Sequence, residues 1–208
     1  LSLWPERRIG RWIRSASPFS WVARLLLAPH RWGAWAFLLV KVRMRGERHL
    51  DEVVPGLYLG RRPLLGDRER NKTFALNCVV DLCVEFPPSG PVVGVAEEDY
   101  LAIHTLDGTA PALEDVKHAV DWMEEKLAAG RKILVHCAAG HGRSATVVAA
   151  LLISRGLATD ADSAERLMKA VRPLVSLNRS QRRLVARHVS ALEHEAPPDV
   201  MSAEAKKA

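Results

Sequence analysis

From Gly56 onward, apolar positions along the chain switch between two periods: short β-branched runs alternate with segments whose apolar side chains recur every three or four residues. The runs Gly56–Gly60 (GLYLG) and Asn77–Cys83 (NCVVDLC) predict strands, the second of them buried. Residues 86–98, rich in proline, glycine and acids, predict a loop. Asp99–Asp107 (DYLAIHTLD) alternates and predicts a strand ending at Asp107. Leu113, Val116, Val120, Met123 and Leu127 keep helical spacing, with Gly130 as the stop. Lys132–His136 predicts another strand, followed by a glycine loop and an apolar helix from about Arg143 to Arg155, closed by Gly156. Two more helices fit about 161–171 and 179–194, separated by Pro173. Strands alternating with helices predict an α/β fold, a central mostly parallel sheet flanked by helices, with a site at the carboxyl ends of the strands.

Charge divides the chain differently. The 208 residues carry a net charge of +6, which invites a nucleic-acid partner. Residues 1–48, however, hold ten Lys/Arg against Glu6 and Glu47, a net of +8, so the other 160 residues carry −2. The basicity belongs to the N-terminal segment, and no nucleic acid is expected on the domain. The same segment holds five of the six tryptophans: Trp4, Trp12, Trp21, Trp32 and Trp35. Its apolar stretch is broken by Arg24 and by Pro29-His30-Arg31, and its longest uncharged run, Trp32–Val40, is nine residues. At ~1.5 Å per residue, that run is too short to cross a ~30 Å hydrocarbon core. The pattern predicts a helical, membrane-associating appendage over 1–48, with tryptophan and leucine at the interface and arginine on anionic headgroups. A helix pair packed on the domain is the alternative. Three cysteines without paired spacing predict a reducing compartment, here the cytoplasmic face of a membrane. A folded domain is expected over 49–195 and a disordered tail over 196–208.

The chemistry concentrates at Val135–Ile153, VHCAAGHGRSATVVAALLI. Cys137 ends a strand, Gly140 and Gly142 free the backbone to turn, and Arg143-Ser144 open a helix. Successive N–H groups of Ala138, Ala139, Gly140, His141 and Gly142 can then line a cradle for a tetrahedral oxyanion, with the helix N-terminus aimed into it. Arg143 can add a bidentate contact to phosphate oxygens. The same field favours a thiolate on Cys137, a nucleophile beneath a bound phosphate. A buried core cysteine before an ordinary glycine turn explains neither the arginine nor both glycines. A Walker-type nucleotide loop is disfavoured, because Gly142-Arg143-Ser144 replaces its Gly-Lys-Ser/Thr. Asp107, at a strand end thirty residues before Cys137 and followed by Gly108 and Pro111, suits a proton donor on a loop over the cradle. Taken alone it is an ordinary turn former.

These residues closely resemble the signature of the cysteine-dependent protein-tyrosine-phosphatase superfamily, dual-specificity branch, over about residues 53–194. VPGLYLG and VVDLC resemble its first strands, LDGTAP its general-acid loop, and VRPLVSLNRSQRRLV its helical tail motif. The resemblance implies Cys137 as nucleophile, Arg143 as phosphate ligand and Asp107 as general acid. It also implies that Ser144 helps expel the thiolate, that His136 organises the loop, and that no metal or organic cofactor takes part. Asn178 and Gln181 could support the loop, and an N-cap role suits Asn178 equally well. The pattern is similar to membrane-associated members acting on phosphatidylglycerophosphate or phosphoinositides, although Ala138 and His141 stand where phosphoinositide-selective members carry lysines. The expected function is phosphomonoester hydrolysis through a phosphocysteine, on a phosphorylated protein or a phospholipid headgroup. A catalytically silent phosphate-binding module and a rhodanese-like sulfurtransferase are the competing readings. Some lipid-directed relatives keep a cysteine at the position of Cys83, which implies a redox partner for Cys137. A small buried core residue is the plainer reading of Cys83.

Overall fold

A computed structural model of the protein describes residues 48–195. The expectations for the segment before Arg48 and for the tail from Ala196 lie outside them. Five strands, β1 (Leu50–Val54), β2 (Leu57–Arg61), β3 (Cys78–Cys83), β4 (Tyr100–Thr105) and β5 (Ile133–Cys137), form one sheet in the order β1-β2-β5-β3-β4. The strands β2, β5, β3 and β4 run parallel, while β1 pairs antiparallel to β2. The sheet is therefore mixed, and mostly parallel. Its four parallel strands share one carboxyl edge.

Six helices accompany it among the described residues: α1 (Arg68–Phe74), α2 (Gly90–Val93), α3 (Leu113–Ala128), α4 (Arg143–Ser154), α5 (Ala161–Val171) and α6 (Arg179–Glu195). Helix α4 is apolar all round and buried from Arg143 to Ile153, as a helix must be when neighbours cover every side. It packs on β2, β3 and β5 and is covered in turn by α3, α5 and α6. The opposite sheet face is built from Leu50, Tyr58, Val79 and Leu134 with Leu76 and Val93, and Phe74, Val95 and Tyr100 seal its margin.

Three elements depart from the pattern reading. The sequence reading assigned no strand to β1, because Asp51 and Glu52 interrupt its alternation; the structure buries Asp51, 7% exposed, beside Arg172. The predicted loop 86–98 contains the single-turn α2, held by amides bonded back to the Ser89 and Gly90 carbonyls. Helix α1 is short and almost wholly polar, with Ala75 stopping it in the left-handed conformation at φ 51°.

Candidate active site

Strand β5 ends at Cys137, and α4 begins six residues later at Arg143, so the intervening loop closes over the carboxyl edge of the sheet. Every loop carbonyl is engaged on the outside. The Ala138 carbonyl accepts from Arg62 N–H (3.1 Å), and that of His141 accepts from Ser176 N–H (3.0 Å). The Ala139 and Gly140 carbonyls accept from the Arg172 guanidinium (3.0 and 2.9 Å). Gly142 accepts from the Thr146 N–H and hydroxyl (2.9 and 3.0 Å). A planar peptide points its N–H opposite its carbonyl, so outward carbonyls turn the loop amides inward, into a concave anion site. Gly140 is required here: its φ is +76°, and a Cβ would lie 2.3 Å from the Gly60 carbonyl oxygen.

The Cys137 sulfur lies inside this cradle, 4% exposed. It accepts from Gly140 N–H at 3.2 Å and from the Ser144 hydroxyl at 3.3 Å. Burial by itself would push the thiol pKa up, but the Arg143 charge and the bonds from Ser144 and Gly140 bring it below the ordinary value. Arg143 is 2% exposed, and one side of its fork is clamped by Glu85, Nη1 to Oε2 at 2.9 Å and Nη2 to Oε1 at 2.7 Å. Nη1 also donates to the Thr105 carbonyl at 2.8 Å. The buried Nε has no hydrogen-bond partner among the described residues. An orphaned guanidinium N–H on the arginine whose charge favours the Cys137 thiolate suits a phosphate oxygen.

Asp107 stands just past β4, its side chain 82% exposed and its Oδ1 3.0 Å from Arg143 Nη2. Its loop turns at Gly108, φ +75°, and is tied down from α6. Asn178 Nδ2 donates to the Gly108 carbonyl (2.9 Å), and Gln181 Nε2 donates to the Thr109 carbonyl (3.0 Å). The two roles open to Asn178 coexist: its Oδ1 accepts the Gln181 N–H, and Gln181 Oε1 accepts the Asn178 N–H, both at 3.0 Å, a reciprocal capping box.

His136 is fully buried behind the loop. Burial holds its pKa below the ordinary value, which favours the neutral ring. Its Nε2 meets the Ser89 hydroxyl at 2.6 Å and its Nδ1 lies 3.4 Å from the Cys137 carbonyl oxygen. Ser89 N–H bonds to the Tyr100 hydroxyl (3.2 Å), which donates to Asp81 (2.6 Å). Asp81 also accepts the Cys83 N–H at 2.8 Å. Cys83 is buried, 4% exposed, and burial foremost raises its thiol pKa far above the ordinary value. Asp81, Cys83 and His136 bring potential metal-donor atoms within 4.8 Å of one another. Hydrogen bonds already occupy the carboxylate and the imidazole, so the cluster reads as a satisfied polar core. Cys78 lies at the other end of β3, its Sγ 3.7 Å from Asp99 Oδ1.

The structure thus brings Cys137, Arg143, Asp107, Ser144, Asn178 and Gln181 to one edge and places Cys83 and His136 just beneath it. Sequence reasoning missed Glu85, Ser89, Tyr100, Asp81 and Arg172. Glu85 carried the only local signal, an acid two residues past a strand end. The others are brought together by the fold.

A thiolate-favouring cysteine under an amide cradle, with a clamped arginine and a carboxylate at its mouth, defines a cysteine-based phosphate-ester site on an α/β fold. The dual specificity phosphatase catalytic domain matches residues 57–189, and the chain belongs to that family. It is 32% identical over 151 residues to a phosphatidylglycerophosphate phosphatase, PTPMT2 of Arabidopsis thaliana, covering 71% of this chain and 66% of that protein. It is 36% identical over 113 residues to human dual specificity protein phosphatase 26, covering 50% of this chain and 51% of that one. The chain thus spans between half and two thirds of the length of these curated relatives. The crystal structure of PTPMT1 in complex with PI(5)P superposes with a TM-score of 0.63 at 21% identity, covering 72% of this chain and all of that one, a likeness of fold. The domain is a cysteine-dependent phosphatase domain of the dual-specificity type.

Proposed function

We propose that the protein hydrolyses phosphomonoesters through a phosphocysteine on Cys137, at an anionic membrane surface on its cytoplasmic face, with a phospholipid headgroup phosphate as substrate. The observation that carries the chemistry is the Cys137 sulfur, held by the Gly140 N–H and Ser144 O–H, with an Arg143 whose Nε has no partner among the described residues. The loop amides from Ala138 to Arg143 and the Arg143 Nε, joined by Nη2 once Asp107 leaves it, bind the three non-bridging oxygens. The thiolate attacks phosphorus in line, the P–O bond to the leaving group breaks, and Asp107 gives that oxygen its proton. Asp107 then takes a proton from water, which attacks the phosphocysteine. Sulfur leaves as a thiolate that the Ser144 hydroxyl stabilises, and inorganic phosphate is released. His136 orients the Cys137 carbonyl, and Asn178 and Gln181 steady the acid loop from behind. No step calls on a metal or organic cofactor.

The lipid reading draws support from the phosphatidylglycerophosphate phosphatase relative and from the carboxyl edge itself. Of the six large hydrophobics that are exposed among the described residues, Leu65, Val84, Leu106 and Leu174 sit in connections at that edge. Leu50 pairs with Gly60 near the carboxyl end of β2, so β1 begins at the same edge, and the basic, tryptophan-rich sequence before Arg48 favours an anionic surface by its composition. Among the described residues no helix is long and apolar enough to cross a membrane. A phosphorylated protein is the second reading, favoured by the dual specificity protein phosphatase 26 relative.

A panel of phosphatidylglycerophosphate, phosphoinositides and phosphotyrosine and phosphothreonine peptides tests the choice. Faster turnover of lipid in anionic vesicles supports the first reading, and preference for peptides supports the second. Cys137→Ser should abolish turnover of all of them, and retained activity overturns the phosphocysteine. We also propose that Cys83 captures a peroxide-formed sulfenic acid on Cys137, giving a disulfide and water. After mild peroxide, a thiol reductant should restore the parent but not Cys83→Ser; equal recovery removes that role.

A further inference from the structure

Arg172 closes α5 as a residue that Pro173 biases out of the helix, with φ −134° and ψ 83°. This turns its side chain beneath the phosphate loop, where it is 1% exposed. Four of its hydrogen bonds go to groups outside the cradle's interior. Nη2 donates to the Ala139 carbonyl at 3.0 Å, and Nε donates to the Gly140 carbonyl at 2.9 Å. Nη1 donates to Asp51 Oδ2 at 2.9 Å and to the Arg48 carbonyl at 3.1 Å. Asp51 is met from its other side by Arg48 Nε at 2.8 Å. A buried cation with a dedicated buried carboxylate is a demanding arrangement. Here three further bonds serve backbone: two to consecutive carbonyls of the loop and one to the entrance to β1.

Consecutive carbonyls held on one outer side fix the two peptides that follow them. Their N–H groups, those of Gly140 and His141, then face the sulfur and the bound oxyanion. The Gly140 N–H to Cys137 bond is the visible half of that lever. We propose that Arg172 is a positioning residue of the phosphatase reaction: with Asp51 orienting its guanidinium, it pins the outer face of the loop and so sets both the thiolate character of Cys137 and the aim of the amides at the transferring phosphoryl group. The inference rests on the reading of Cys137 as nucleophile.

The test uses the full chain. Lysine offers a single point charge where Arg172 spans two carbonyls, a carboxylate and a strand entrance. Arg172→Lys should lower kcat on an aryl phosphate by about 10- to 100-fold, a loss on the scale of one misaimed oxyanion donor. It should also raise the pH at which Cys137 becomes reactive to iodoacetamide by about half a unit or more. The acidic limb of kcat/KM should move up in parallel. Asp51→Asn keeps the guanidinium but loses its orienting charge and should shift both readouts the same way by less. A merely structural residue would reduce the folded fraction and leave the alkylation midpoint of the folded molecules unchanged. That unchanged midpoint in Arg172→Lys, or in Asp51→Asn if the first variant fails to fold, overturns the proposal. Alkylation reads the thiol without turnover, so a failure of the phosphocysteine reading appears separately, as activity persisting in Cys137→Ser.

Discussion

Asp107 and Glu85 both reach Arg143, from opposite degrees of exposure. The Glu85 side chain is 14% exposed and makes two bonds to the fork, while the Asp107 side chain is 82% exposed and offers one oxygen. An exposed ion pair contributes little, on the order of 1 kcal/mol or less. Asp107 can therefore leave Arg143 for a leaving-group oxygen while Glu85 keeps the fork in place. Replacing Asp107 by Asn should slow alkyl phosphates by ~10²–10⁴-fold and activated aryl phosphates much less, because only the former need the proton. Equal slowing of both in steady-state assays would assign Asp107 to positioning. Ser144 gives a second test with a defined sign. The Cys137 pKa lies below its unfolded value, so the thiolate's contribution to stability is present above the unfolded thiol pKa and is lost as pH falls through the folded one. Ser144→Ala removes one donor to sulfur, so the acidic limb of kcat/KM should move to higher pH. Its stability cost, measured by denaturant titration, should be larger at alkaline than at acidic pH.

At the scale of elements, the start of α6 does two jobs with two side chains. The Asn178–Gln181 box caps the helix, and the amide nitrogens left over hold Gly108 and Thr109 of the Asp107 loop. Asn178→Ala should cost about 1 kcal/mol as a lost N-cap and lower kcat on alkyl phosphates. Asn178→Asp keeps the cap but has no donor for the Gly108 carbonyl, so it should spare the melting temperature while lowering kcat. An unchanged kcat in Asn178→Asp would show that the Gly108 contact does not position the loop. The loop between β5 and α4 is equally constrained at Gly140, where a Cβ would meet the Gly60 carbonyl at 2.3 Å. Gly140→Ala must displace β2 or the loop, and turnover should fall to background even where circular dichroism shows a folded domain.

At the largest scale, four parallel strands set the Cys137 loop, the Asp107 loop and the β2–α1 and β3–α2 connections along one edge. The antiparallel β1 starts at that same edge. A protein starting at Arg48 should remain folded and turn over an aryl phosphate like the full chain, yet lose salt-sensitive binding to anionic vesicles. Unfolding on deletion, seen as lost cooperative melting, would make the first 47 residues part of the core. What the sequence determined by itself was local. Cys137, the glycines, Arg143 and Ser144 lie within eight consecutive residues, so strand end, turn and helix start suffice to gather them. The periods of α3, α5 and α6 likewise record which faces are buried, and the unbroken apolar run of α4 records burial on every side. Only the tertiary structure decided the partners of that loop: Glu85 on Arg143 across 58 residues, Ser89 on His136 across 47, and Asp51 with Arg172 across 121. An isolated acid or arginine has no periodicity to read. Its burial becomes tolerable only when the opposite charge or a row of carbonyls arrives from elsewhere in the fold, and that meeting is a property of the packed sheet.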